Sequence, residues 1–194
     1  MVAVTMRATA ASLGVEAMSL YNHVANRADL IDGMVDAVFA EIELSGGDGC
    51  WRGHMRRLAV STRRVLQRHP WATGMLDSRS KPGPATLRHH DSMLGILRRS
   101  GFSPTMAVHV LSVLDSYVYG SVLQERSLPL DEIRSLESAA AELLRSLPVN
   151  EYPYLAEVAI ERSAKNNSVP QAGEEFEFGL DLILSALTPD DLTT

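Results

Sequence analysis

The chain has 194 residues, 45% of them hydrophobic and 22% charged, which is enough apolar material to bury a core and excludes a disordered chain. No run of about 18 apolar residues marks a membrane span, no basic segment followed by an apolar stretch marks a secretory signal, and the single Cys50 excludes an intrachain disulfide and a multi-cysteine zinc site, so a cytoplasmic chain without cofactor is expected. The formal net charge of −6 argues against uniform attraction to nucleic acid and leaves the decision to how charge is distributed.

In chain order, Thr5 caps a first short helix whose last apolar residue, Leu13, is followed by Gly14, a residue able to take positive φ and reverse the chain tightly. A second helix is expected over 17–23. Its Leu20 and Val24, four apart, are expected to face inward with Leu13 and Val15, leaving Met18, Ser19, Tyr21, Asn22 and His23 outward. Residues 26–29 read as a turn and cap opening a longer helix over 30–44, with Leu30, Met34, Val38 and Ile42 as its stripe. The glycine cluster at 46–49 is the strongest boundary, giving an N-terminal unit at 1–45 and a larger one at 50–188.

Beyond it, Met55, Leu58, Ala59, Thr62, Val65 and Leu66 recur at helical spacing, with arginines on the other face. Breakers at 80–84, 100–104, 148–153 and 166–173 separate further helical blocks, with stripes through Val108, Leu111, Leu114, Tyr117, Val118 and Val122 and through Phe176, Leu180, Ile183, Leu184 and Leu187. No alternating run bounded by hairpin turns occurs, so the fold class expected is all-α. Basic residues dominate 50–101 and acidic ones the chain from Ser127 onward, which reads as solvated faces. His89-His90-Asp91 does not read as a metal site, because neighbours on a helix point in different directions; solvated surface is expected.

Residues 5–24 have the logic of a helix-turn-helix. Leu13-Gly14-Val15 together with Ser19-Leu20-Tyr21-x-His23-Val24-x-Asn26-Arg27 resembles the DNA-binding region of the tetracycline-repressor family over about residues 4–44. The rest is similar to that family's C-terminal domain in His69-Pro70, the turn at 100–103, the helix through 114–120, and Phe176-x-Phe178-Gly179-Leu180.

The resemblance implies a ligand-responsive repressor of double-stranded operator DNA. Arg7, Tyr21, His23 and Arg27 would contact phosphates, and Ala17, Met18 and Ser19 would read bases, with Ser19 hydrogen bonding to base edges and Ala17 and Met18 packing on thymine methyls. It further implies a homodimer through helices 104–125 and 172–187, both with wide apolar faces, and a small-molecule effector site among the helices beginning at Trp51, Pro84 and Pro104. Leu58, Thr62, Met75, Met93 and Ser116 are its candidate lining residues. Tetracycline and magnesium are not expected, since the family's drug- and metal-contacting positions fall on Leu58, Thr62, Ser116 and Gln124.

The family pattern also carries a helix before Thr5, so a shortened, weakened head is expected; Thr9 stands where the family has an aliphatic residue. Residues 1–44 hold only Arg7 and Arg27 against Glu16, Asp29, Asp32, Asp36, Glu41 and Glu43. The alternative is therefore a dimeric helical ligand- or partner-binding protein with an incomplete or inactive head. No nucleophile with a base at motif spacing, phosphate loop or paired carboxylates is found, so an enzyme is not expected.

Overall fold

A computed structural model describes residues 4–44, 49–76, 81–127, 148–164 and 172–190. Most of the glycine boundary, the acidic stretch at 128–147 and the breaker at 166–171 lie outside the described residues. Those described form helices and turns without a strand, in agreement with the all-α reading: α1 Met6–Leu13, α2 Ala17–Leu20, α3 Arg27–Ala40, α4 Trp51–Arg68, α5 Pro70–Thr73, α6 Pro84–Arg99, α7 Pro104–Ser127, α8 Pro153–Ala164 and α9 Ala172–Ala186. They fall into two units, Met1–Val122 with Leu187–Thr194, and Leu123–Ala186.

In the first unit, α4 buries the expected stripe of Met55, Leu58, Ala59, Thr62, Val65 and Leu66. Helix α3 starts three residues earlier than expected and ends at Ala40, because Asn26 caps it: its Oδ1 accepts from the Asp29 amide at 3.0 Å, and Asp29 Oδ2 accepts from the Ala25 amide at 2.9 Å. Its buried face is Ile31, Val35, Val38 and Phe39, continued by Ile42; Val38 and Ile42 of the expected stripe are buried, whereas Leu30 and Met34 are only half-buried and Ile31 and Val35 take their place. On α7 the buried ridge is Ala107, Val110, Leu114, Val118 and Val122, so Val108, one residue off that ridge, is exposed.

The N-terminus of α6 is closed from a distance. Gly83 precedes it and has no side chain to cap it, and Pro84 at the first helical position has no N–H to offer. The Asp36 carboxylate on α3 accepts instead from the amides of Ala85 at 3.1 Å and Thr86 at 2.8 Å, and from the Thr86 hydroxyl at 3.0 Å. A negative charge on these amides also complements the helix dipole. A Cβ on Gly83 would lie 2.3 Å from Asp36 Cγ, so the missing side chain is what lets the carboxylate approach.

The next corner repeats this economy of glycine. Gly101, at φ 86, ends α6 with its amide on Arg98 O at 3.2 Å and the Phe102 amide on Leu97 O at 3.2 Å, a Schellman closure. Phe102 is thereby fully buried, edge-on to Trp51 at the start of α4 with ring centroids 4.8 Å apart. Ser103 then caps α7, accepting from the Met106 amide at 3.2 Å, while its own amide donates to Asp190 Oδ1 at 2.8 Å. Arg52 donates to the Leu187 carbonyl at 2.7 Å, so residues 187–190 are fastened to the starts of α4 and α7.

In the second unit, α9 buries Phe176, Leu180 and Leu184 and exposes Phe178 and Leu182, which gives it two apolar ridges. Helix α8 buries Ala156 and exposes Tyr154, Leu155, Val158 and Ile160.

Removing the distant cap should cost about 1–3 kcal/mol, since it strands two amides at a helix start. In denaturant unfolding, Asp36→Ala and Gly83→Ala are each expected to destabilise by that order, and the double variant by far less than their sum, because both changes break one interaction.

Candidate nucleic-acid interface and effector region

The head is built on two caps and one reversal. Thr5 Oγ1 accepts from the Ala8 amide at 3.1 Å and starts α1. At its end Gly14 stands at φ 68, its amide on Ala11 O at 3.3 Å and the Val15 amide on Ala10 O at 3.0 Å, the same closure that Gly101 makes. The chain turns there and α2 begins at Ala17. Met6, Ala10 and Leu20 form the small core between α1 and α2, with Ala17, Val24 and Leu30 packed against it.

Helix α2 ends at Leu20, three residues short of expectation. The amides of Asn22 and His23 turn to the carbonyls of Ser19 and Leu20, three residues back, at 3.3 and 2.9 Å, so residues 21–23 wind as tighter turns. Met18 is 72% exposed, and Ser19, Tyr21, Asn22 and His23 are exposed beside it, whereas Ala17 is half-buried. Leu13 and Val15 do not face inward; they are 63% and 43% exposed, because the Gly14 reversal turns both out of the cluster that Met6, Ala10 and Leu20 fill. Arg7 and Arg27 are exposed, and Arg27 Nε donates to the Val4 carbonyl at 2.6 Å, tying the starts of α1 and α3.

The acidic excess of this segment is largely engaged within the fold. Asp29 serves the α3 cap, Asp36 serves α6, and Asp32 is buried. Glu41 binds Arg68 and His69 at 2.8 Å each; desolvation raises its carboxyl, but the hydrogen bonds and charges of His69 and Arg68 together hold it below the ordinary range. Glu16 precedes α2, where a negative charge suits the helix start.

Of the expected effector residues, Leu58, Thr62, Met75 and Met93 are buried and Ser116 is exposed on α7. Leu58 and Thr62 share α4, where the Thr62 hydroxyl donates to the Leu58 carbonyl at 2.8 Å. Sequence reasoning passed over Thr73 on α5, a buried hydroxyl without a hydrogen-bond partner among the described residues, two residues before Met75, and nothing in its spacing marks it.

The solvated reading of His89 and His90 is corrected. His89 is 1% exposed and His90 half-buried, and their companion is Asp115 on α7 rather than the exposed Asp91. Adjacent rings on a helix diverge, but α3 covers this face: Phe39 lies edge-on to His89 and His90 with centroids 5.6 and 6.4 Å away. Burial first, then the neighbouring His90, push His89 down to about 4 against the opposing pull of Asp115, so the ring is neutral at physiological pH.

Comparison with known proteins places these features. Residues 45–189 match the family model described as tetracyclin repressor-like, C-terminal domain. A curated HTH-type transcriptional repressor of Streptomyces coeruleorubidus is 29% identical over 192 residues, covering 94% of this chain and 69% of its own length. An HTH-type transcriptional regulator of Saccharopolyspora erythraea is 34% identical over 153 residues, covering 78% of this chain and 64% of its own. The crystal structure of the TetR family protein ActR of Streptomyces coelicolor in complex with actinorhodin superposes with a TM-score of 0.76 at 26% identity, covering 94% of this chain and 86% of that one.

Because Met18 is at the surface and Gly14 reverses the chain at positive φ, their substitutions separate cleanly. Gly14→Ala is expected to destabilise the chain by about 1 kcal/mol through its positive φ, whereas Met18→Ala should stay within about 0.5 kcal/mol of wild type; thermal unfolding measures both.

Proposed function

The chain belongs to the tetracycline-repressor (TetR) family of transcriptional regulators, and from that premise we propose that two copies bind a palindromic operator and release it when a small molecule enters the C-terminal domain. The observation that carries this reading is the exposed ledge from Met18 to His23, set by the Gly14 reversal and backed by the Met6, Ala10 and Leu20 core. A ledge of that size, with a methionine and a tyrosine turned to solvent, suits the major groove. Met18 and Ala17 would pack on thymine methyls and Ser19 would hydrogen bond to a base edge. Arg7, Tyr21, His23 and Arg27 would meet phosphates, with Arg27 positioned by its bond to Val4.

Two-fold symmetry would set the two ledges roughly 34 Å apart, one turn of duplex. The exposed Phe178 and Leu182, one turn apart on α9, support a homodimer, as do Val108 and Val113 on α7; each set would face its counterpart in a second copy. The effector would be a small organic molecule meeting Leu58, Met75 and Met93, with the unpartnered Thr73 hydroxyl as a polar anchor and Thr62 and Ser116 as further contacts. ActR is a relative whose structure is a complex with actinorhodin, which supports a small organic molecule as effector. Its arrival would be felt by the head through α3, which carries both the capped start behind the ledge and the carboxylate that closes α6. The relatives are named as regulators, and a cytoplasmic location without a catalytic activity or a membrane partner accords with that role.

The test is binding of labelled duplex from the gene's upstream region at several salt concentrations. Arg7→Ala is expected to weaken binding on every sequence and to lower the salt slope by about 1, and Tyr21→Ala to weaken it without altering secondary structure. Binding that both variants leave untouched would remove the ledge from the interface. Phe178→Asp should convert the dimer to monomer in sedimentation and abolish operator binding, while a wild-type chain that sediments as one copy would overturn the symmetric arrangement.

A further inference from the structure

Inside the first unit, away from the ledge, three metal-ligating side chains converge. His89 and His90 come from α6 and Asp115 from α7, each offering one ligand atom, and these atoms lie within 4.8 Å of one another. His90 Nε2 stands 3.4 Å from Asp115 Oδ2. The buried Nδ1 of His89 and the buried Nε2 of His90 have no hydrogen-bond partner among the described residues, which is unusual for imidazole nitrogens held inside a protein. We propose that His89, His90 and Asp115 form a binding site for a divalent first-row transition cation, for which zinc is the natural probe.

The chemistry of the donors sets the class of ion. Two imidazoles and one carboxylate suit zinc, cobalt or nickel, whereas calcium and magnesium favour sites made of oxygen alone. Ligand atoms held by one metal at about 2.0–2.2 Å stand somewhat over 3 Å apart, a distance the His90 and Asp115 pair already has. Unpaired lone pairs would become bonds, and the carboxylate would offset part of the ion's charge. The His90 and Asp115 side chains keep 33% and 20% exposure although His90 Nε2 itself is buried, so their edge of the cluster is the side from which an ion, and water completing its coordination, would enter. The Phe39 ring closes the opposite side and keeps His89 in place. Bound there, the ion would join α6 to α7 next to the helix that carries Asp36.

The experiment uses the full chain stripped with chelator and titrated with zinc chloride by calorimetry, with DNA binding left aside so that the site stands or falls independently of the repressor reading. One equivalent of zinc is expected to bind and to raise the melting temperature. Asp115→Asn and His90→Gln, checked for helicity by circular dichroism, are expected to weaken zinc at least tenfold and to remove the thermal shift. Equal zinc binding by wild type and a folded variant overturns the proposal, as does the absence of saturable binding. Should both variants fail to fold, cobalt substitution decides with the wild-type chain. An intense visible band of four- or five-coordinate nitrogen and oxygen ligation supports the site, whereas the weak spectrum of hydrated cobalt, or a thiolate band from Cys50, overturns it.

Discussion

A carboxylate on one helix closes the start of another, and the geometry of the first unit follows from that contact. The N-terminus of α6 has no cap from its own neighbourhood, since Gly83 has no side chain and Pro84 no N–H. Asp36 provides acceptor and charge together, which helix starts favour electrostatically. Because Asp36 lies on α3, between the Asn26 cap and the buried Phe39, the helix that emerges from the head is fixed in rotation against the body. A rotation of α3 would have to surrender the three hydrogen bonds that Asp36 accepts from Ala85 and Thr86 or carry α6 along with it.

That contact also changes how the charge of the head should be counted. Summed along the chain, residues 1–44 look hostile to a polyanion. In the folded chain Asp36 faces helix amides, Asp29 a backbone amide, Glu41 an arginine and a histidine, and Asp32 is buried. The field at the ledge is set by the groups that remain outside it, among them Arg7 and Arg27. A sum of charges carries no information about direction, and for a surface of this size direction is what decides.

Much of the fold was legible in the sequence because it rests on periodicity and punctuation. The α4 stripe, the Gly14 reversal and the Gly101 corner are local features, written within a few residues of where they act. The outward set from Met18 to His23 was legible for the same reason, through its spacing around Leu20. What escaped was set by contacts distant in sequence. Asp36 and Ala85 are 49 residues apart, and nothing near either announces the other. His89 and His90 read as solvated because a helix alone would diverge them; only α3 above and α7 alongside turn them into a buried group with Asp115. On α3 the expected stripe is right at Val38 and Ile42 and one residue off at Leu30 and Met34, where Ile31 and Val35 are buried instead, because what packs against the helix chooses between neighbouring apolar residues.

Four of the joints that hold distant segments together share a chemical asymmetry. Arg27 reaches the carbonyl of Val4, Ser61 Oγ the amide of Glu43 at 3.0 Å, Arg52 the carbonyl of Leu187, and Asp36 the amide of Ala85. In each, one partner is main chain, which every residue type except proline offers in full. Substitution at the receiving position therefore leaves the joint intact, and no compensating change is selected at the other end. Across descendants of this sequence, these ties would leave little trace as paired variation between columns, and would survive instead as solitary invariance at the four positions that supply the side chains.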